Sequence, residues 1–122
     1  MKKTTKYLMV PTMAIFLLSG CVEQPKPLYS WGNYVASTGE YTLKGHEKEV
    51  REKHLAELKN IIEESQSKDM RVPPGIYAEY AQVLFESGQS SEAKKYFLLE
   101  KNTYPESTIF IDRVIKKLYG DN

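Results

Sequence analysis

The chain has 122 residues, with 17 Lys and Arg against 16 Asp and Glu and a net charge of +1. That length bounds it to one domain, and that balance supplies no basic face of the kind nucleic acid requires. A single cysteine excludes an internal disulfide framework, and one Cys with two His is too few for a structural zinc site.

Residues 1–20 read as an address. Met1 to Lys6 is short and basic, and Tyr7 to Leu18 is an apolar run interrupted only by Pro11 and Thr12. Small residues and Cys21 follow. This is the order of a secretory signal peptide, and the apolar run is shorter than the roughly 20 residues that an ordinary membrane span needs. Leu18-Ser19-Gly20-Cys21 resembles the lipobox of bacterial lipoproteins. The resemblance implies that a diacylglyceryl group is attached to Cys21, that the peptide is cut before it, and that the new amine is acylated. Several acyl chains are needed because each buried CH₂ contributes about 0.8 kcal/mol and one chain holds only marginally. Val22, in place of the Asp that retains such lipoproteins at the inner membrane, implies the periplasmic face of the outer membrane. Loss of Lys2, Lys3 and Lys6 leaves 14 basic against 16 acidic residues.

Residues 21–27 form the lipidated tether, in which Pro25 and Pro27 favour an extended chain. The helical domain is expected over 28–122. A first helix over about 30–43 would align Trp31, Tyr34, Thr38 and Tyr41, although Gly32 and Gly39 weaken it. Trp31 is open to a core role, which the stripe favours, or to stacking on a ligand together with Tyr29 and Tyr34. Gly45 breaks the chain. A second helix is expected over His46 to Ser65, with Val50, His54, Leu58 and Ile61 on one face and Leu55 and Ile62 beside them. His54 on that face reads as a half-buried packing residue. Glu47–Arg51 and Glu49–Lys53 have the favourable order for ion pairs on the solvated side. Pro73-Pro74-Gly75 cannot continue a helix.

Pro74 to Pro105 is the most regular unit. Pro74 suits a first helical turn, Gly88 a left-handed stop, and Ser90 or Ser91 the cap of the next helix, which runs to about Thr103. The last helix is capped at Ser107, carries a stripe of Phe110, Ile111, Val114, Ile115 and Leu118, and stops at Gly120. The expected fold is thus all-α, with about five helices after the signal peptide.

The spacing within Pro74–Pro105 resembles the tetratricopeptide repeat, a helix–turn–helix unit of about 34 residues. Tyr77, Tyr80, Ala81, Leu84, Ala93, Phe97 and Pro105 match its packing positions, and Glu100 departs from a position that is usually small. The resemblance implies peptide binding along Gly75, Ala78, Gln82, Phe85 and Glu86, the inner face of the first helix. Phe85 lies off the packing stripe, so it is either buried by the first helical pair or presented to a partner. Leu28-Tyr29-Ser30-Trp31-Gly32-Asn33-Tyr34, Val72-Pro73-Pro74-Gly75 and Tyr104-Pro105-Glu106-Ser107 together resemble a family of small bacterial lipoproteins of unknown function. That resemblance implies companionship with a lipoprotein related to the curli transport channel CsgG.

The sequence carries no Gly-rich phosphate loop and no nucleophile elbow. No enzyme activity, cofactor, metal or nucleic-acid partner is expected. The reading that follows is a membrane-anchored interaction or assembly subunit whose binding residues are Gln82, Phe85 and Glu86, with Tyr29 and Trp31. The rival is a binder of a small ligand or cell-wall glycan through the N-terminal aromatics.

Overall fold

A computed structural model describes residues 25–120; residues 1–20, read from the sequence as a signal peptide, and Cys21 lie outside the described residues. The described chain is all-helical, with α1 over Tyr34–Lys44, α2 over Lys48–Ser67, α3 over Ile76–Glu86, α4 over Ser90–Thr103 and α5 over Thr108–Tyr119. A 3₁₀ turn at Pro105–Ser107 leads into α5. No described helix is long and apolar enough to cross a membrane.

The first helix starts later than its aromatic spacing predicts. Gly32 takes a left-handed φ of 47°, and a Cβ there would lie 2.6 Å from Glu57 Oε1. The same carboxylate accepts the Asn33 N–H at 2.7 Å, which fixes the entry into α1. Trp31 therefore precedes the helix and is 43% exposed, which overturns its assignment to the core. Before this turn the described chain is irregular, with a bend at Leu28, and Pro25 and Pro27 lack the N–H donors a helix would use.

The long second helix buries Val50, His54, Leu58, Ile61, Ile62 and Ser65, a face set by its 3.6-residue period. Its other side is solvated and carries i,i+4 pairs such as Glu49–Lys53 at 3.1 Å. Such exposed pairs contribute little, because water and salt screen them. Arg51 donates to the Gly45 carbonyl at 3.2 Å, where the spacing with Glu47 suggested an ion pair.

The third and fourth helices form a tight hairpin. Gly88 at φ 84° permits the left-handed stop, and the Gln89 N–H returns to the Leu84 carbonyl at 2.9 Å. Pro74 does not enter α3; Gly75, at φ 89°, is the N-cap. Nor do Ser90 and Ser91 cap α4, whose N-cap is Gln89 with no side-chain cap bond. Ala93, fully buried, stands on α4 between larger core residues. Gly75 meets Glu100, and Tyr80 packs edge-on to Tyr96 at 4.6 Å, so the two helices run antiparallel. Tyr104, buried at the end of α4, donates its hydroxyl to the Val72 carbonyl at 2.5 Å and ties the Pro73-Pro74 linker down.

Side-chain bonds fix how the hairpins align. Tyr34 reaches Glu79 and Tyr41 reaches Glu86, both 45 positions apart, so α1 and α3 lie side by side and parallel. Phe85 in α3 meets Tyr119 at the end of α5, ring to ring at 5.5 Å. Early α5 residues meet the start of α3 through Phe110 and Val114, which share a groove with Gly75 and Ala78. Thus α1, α3 and α5 run in one direction, with α2 and α4 returning between them. Within the predicted α5 stripe Ile111 is buried, but Phe110 is 63% exposed.

Glu100, the departure from small residues, has a structural role. It is buried, and Oε1 accepts the Gly75 N–H at 2.8 Å at the start of α3, while Oε2 has no hydrogen-bond partner. Burial pushes its carboxyl pKa up, against the opposing pull of the Gly75, Ala78 and Tyr77 N–H groups. With the folded pKa above the unfolded one, stability is greatest below the unfolded value. It falls as pH rises through that value to the folded one. Glu100→Gln keeps the acceptor for Gly75 and removes the buried charge. It should match or exceed the parent in stability at neutral pH and lose the parent's fall above the usual carboxylate range, as read by urea titrations at a series of pH values.

Candidate functional site

Three places gather polar or exposed apolar side chains. The first is a buried network that joins α1, α2 and α3. His54 projects from the apolar face of α2 and is only 1% exposed. Its Nδ1 lies 2.7 Å from Ser37 Oγ, and its Nε2 lies 2.8 Å from Glu79 Oε1. The Tyr34 hydroxyl donates to Glu79 Oε2 at 2.7 Å, and the Tyr41 ring stacks on the imidazole at 4.5 Å. Burial acts to raise the Glu79 pKa, but the hydrogen bonds from His54 and Tyr34 outweigh it and hold the carboxyl below its usual range. Burial, and then the Glu86 carboxylate, pushes Tyr41 up to about 12. The sequence suggested a half-buried packing His54; it is fully buried and bonded at both ring nitrogens. Only the fold brings Ser37 and Glu79 to it.

A serine, a histidine and a carboxylate in hydrogen-bonded order invite comparison with a hydrolase triad. Ser37 stands within α1, and its N–H is committed to the Asn33 carbonyl at 3.1 Å. The backbone donors that follow it are in helical positions, so none is free to hold an oxyanion. The network braces three helices.

The second place is an apolar groove of ≈ 320 Å³ between α3 and α5. Gly75, Ala78 and Gln82 line one wall, Phe110 and Val114 the other, and Phe97 the floor. Three of the five positions proposed for an inner binding face therefore do line a groove. The other two are engaged elsewhere. Phe85 is half-buried against Tyr119, so α5 supplies the cover that the sequence left to the first helical pair or to a partner. Glu86 accepts from Tyr41 at 2.5 Å and from Gln82 at 2.8 Å. Phe110, which walls the groove, was read from sequence as part of a packing stripe. Its place in the middle of three consecutive apolar residues, Ile109-Phe110-Ile111, was the available signal, since not all three can face inward; only Ile111 does.

The third place lies where the chain enters the domain. A cleft of ≈ 490 Å³ is lined by Lys26, Pro27, Tyr29, Ser30, Trp31, Lys68 and Met70. Tyr29 and Trp31 meet edge to face at 6.4 Å, and Tyr34 follows at 5.4 Å from Trp31. The structure brings the three N-terminal aromatics together, in a cleft that shares no lining residue with the groove of Gln82, although Tyr34 reaches Glu79 on the groove's wall.

Among the described residues no cluster of His, Cys, Asp and Glu has the composition to hold a metal.

DUF4810, a domain of unknown function, matches residues 28–114. The chain belongs to the DUF4810 family. The match begins at Leu28, after the proline tether, and ends at Val114 within α5, so a DUF4810 domain comprises the entry turn, both hairpins and the groove-forming part of α5. It covers all three sequence stretches that carried the family resemblance. No curated protein and no solved structure matches the chain.

Proposed function

We propose that this DUF4810 protein is a non-catalytic lipoprotein of the outer membrane that acts as an interaction or assembly subunit on the periplasmic face. The observation that carries this reading is the groove between α3 and α5. It is apolar, open, and walled by a phenylalanine that no core contact requires to be there. Parallel α1, α3 and α5 with α2 and α4 returning between them support a tetratricopeptide-like arrangement, in which a partner's peptide or helix lies along the first helices. The resemblance to companions of a CsgG-like lipoprotein gives the partner class. The lipobox at Cys21 gives the anchor, and Val22 favours the outer membrane.

Photocrosslinking in intact cells tests the partner. A photoreactive amino acid at Gln82 or Phe110 should give one discrete protein adduct, which mass spectrometry identifies, while the same group at Glu49 on the solvated face of α2 should not. Equal labelling at all three positions, or none at the groove, would refute this assignment. Separately, Cys21→Ser should leave the chain unprocessed or free of the outer-membrane fraction. An unchanged distribution would remove the anchor.

A further inference from the structure

The cleft at the domain entrance is not used by the groove. It lies directly after the segment that would carry the anchor. From Cys21 to Lys26 the chain can reach at most about 20 Å, because an extended residue spans about 3.3–3.6 Å. Whatever holds Cys21 at a bilayer therefore holds this cleft within reach of the headgroups. Its composition suits that position. Leu28, which stands between the lining residues Pro27 and Tyr29 without lining the cleft itself, is 80% exposed, and Trp31 and Tyr29 offer amphipathic rings, the residue types enriched at membrane–water interfaces. Lys26 makes no ion pair among the described residues, and Lys68, from the end of α2, is shared with Glu64. Both lysines can extend apolar stems along the surface and present ammonium groups to phosphates.

We infer that Lys26, Leu28, Tyr29, Trp31, Lys68 and Met70 form a lipid-docking surface that seats the domain on the phospholipid headgroup layer. Trp31 and Leu28 enter the interface, Tyr29 stays at its edge with its hydroxyl bonded to the buried Tyr104, and the lysines meet phosphates. The domain then has a fixed attitude to the membrane instead of swinging on its tether. A glycan site would use the same rings but gains nothing from an exposed leucine and two flanking ammonium groups. This inference rests on the anchored reading for its geometry, and the test separates the two.

Trp31 is the only tryptophan in the chain, so its emission reports this surface alone. The full chain, purified from membranes of expressing cells, is reconstituted into phosphatidylethanolamine–phosphatidylglycerol vesicles, with or without bromine on the upper acyl carbons. Docking predicts a blue-shifted Trp31 emission, protection from iodide, and loss of most of the intensity with brominated lipid. Lys26→Ala should move the docked-to-undocked ratio about fivefold toward undocked when phosphatidylglycerol is present. Leu28→Ser should reduce the brominated-lipid quenching, with circular dichroism showing that both variants fold. The mass of the chain and its flotation with vesicles report the anchor independently. An acylated, floating chain whose Trp31 stays iodide-accessible and unquenched overturns docking and leaves the anchor standing. A quenched Trp31 in a chain without acyl groups supports docking and refutes the anchor. A chain that neither floats nor shows quenching overturns both. A Trp31 that responds to soluble wall fragments and not to vesicles assigns the cleft to glycan and overturns docking.

Discussion

His54→Ala should destabilise the domain by about 2–4 kcal/mol, the range for removing a hydrogen-bonded partner from a largely buried charged group. The imidazole is fully enclosed, so its loss leaves a cavity under the Tyr41 ring as well as two orphaned partners, Ser37 Oγ and Glu79 Oε1. Its effect is not local to α2. The ring bonds to both α1 and α3; α3 is also held to α2 by the apolar core, but α1 has no fully buried residue of its own to compensate. At about 4–8 °C per kcal/mol for a domain of this size, the melting temperature should fall by roughly 8–30 °C. His54→Gln, which retains part of the volume and one or two hydrogen bonds, should cost less.

The same network gives a pH dependence of known sign. Glu79 has a folded pKa below its unfolded one. Its stabilising contribution is fully present above the unfolded value and disappears as pH falls through the folded value. The parent protein should therefore lose stability on acidification below the usual carboxylate range, and Glu79→Gln should abolish that part of the loss while lowering stability at neutral pH. Glu100 acts in the opposite direction over a higher window. Urea midpoints across the acid range for both variants would separate the two contributions; equal slopes in parent and Glu79→Gln would refute the assignment to Glu79.

The second large effect contrasts two phenylalanines of one groove. Phe97 is 1% exposed and forms the floor; Phe110 is 63% exposed and forms a wall. Phe97→Ala removes a fully buried ring and should cost about 3–5 kcal/mol, a large share of the order of 5–15 kcal/mol that a domain has in total. Phe110→Ala should leave the urea midpoint within about 0.5 kcal/mol of the parent, as for other surface changes. It should nevertheless abolish the crosslink from Gln82. If Phe110→Ala destabilises as Phe97→Ala does, Phe110 is a core residue and the groove has lost its open wall.

The residues show where the sequence was legible. The 3.6-residue apolar period of α2 identified most of its buried face, because four of its six buried positions, Val50, Leu58, Ile61 and Ile62, are apolar; His54 and Ser65 are the polar exceptions. Gly88 marked the hairpin turn because only a residue tolerant of positive φ fits there. The end of α4 at Thr103 followed from Pro105. The start of α1 was misplaced because aromatic spacing from Trp31 to Tyr41 mimics a helix. Gly32, counted only as a weak helix former, instead makes the left-handed turn that delays it. The roles of Pro74 and of the serines at 90 and 91 were assigned from local preference and yielded to tertiary contacts.

By itself, then, the sequence determined an all-helical domain, its hairpin, its main apolar faces and its family, since periodicity and turn chemistry are local properties. The tertiary structure alone decided which polar residues meet. Glu79 is an ordinary helix glutamate in sequence and Glu100 stood out only as a departure from a usually small position, and nothing within a few positions of either reveals a buried partner. His54 finds its carboxylate 25 positions away and Gly75 finds its cap at the same separation. The groove followed the same rule. Gln82 and Ala78 could be placed on one face of α3, but whether that face was open depended on where α5 came to rest. Phe85, the residue whose role the sequence left undecided, is covered by Tyr119 for that reason, and Phe110 stands exposed in its stead.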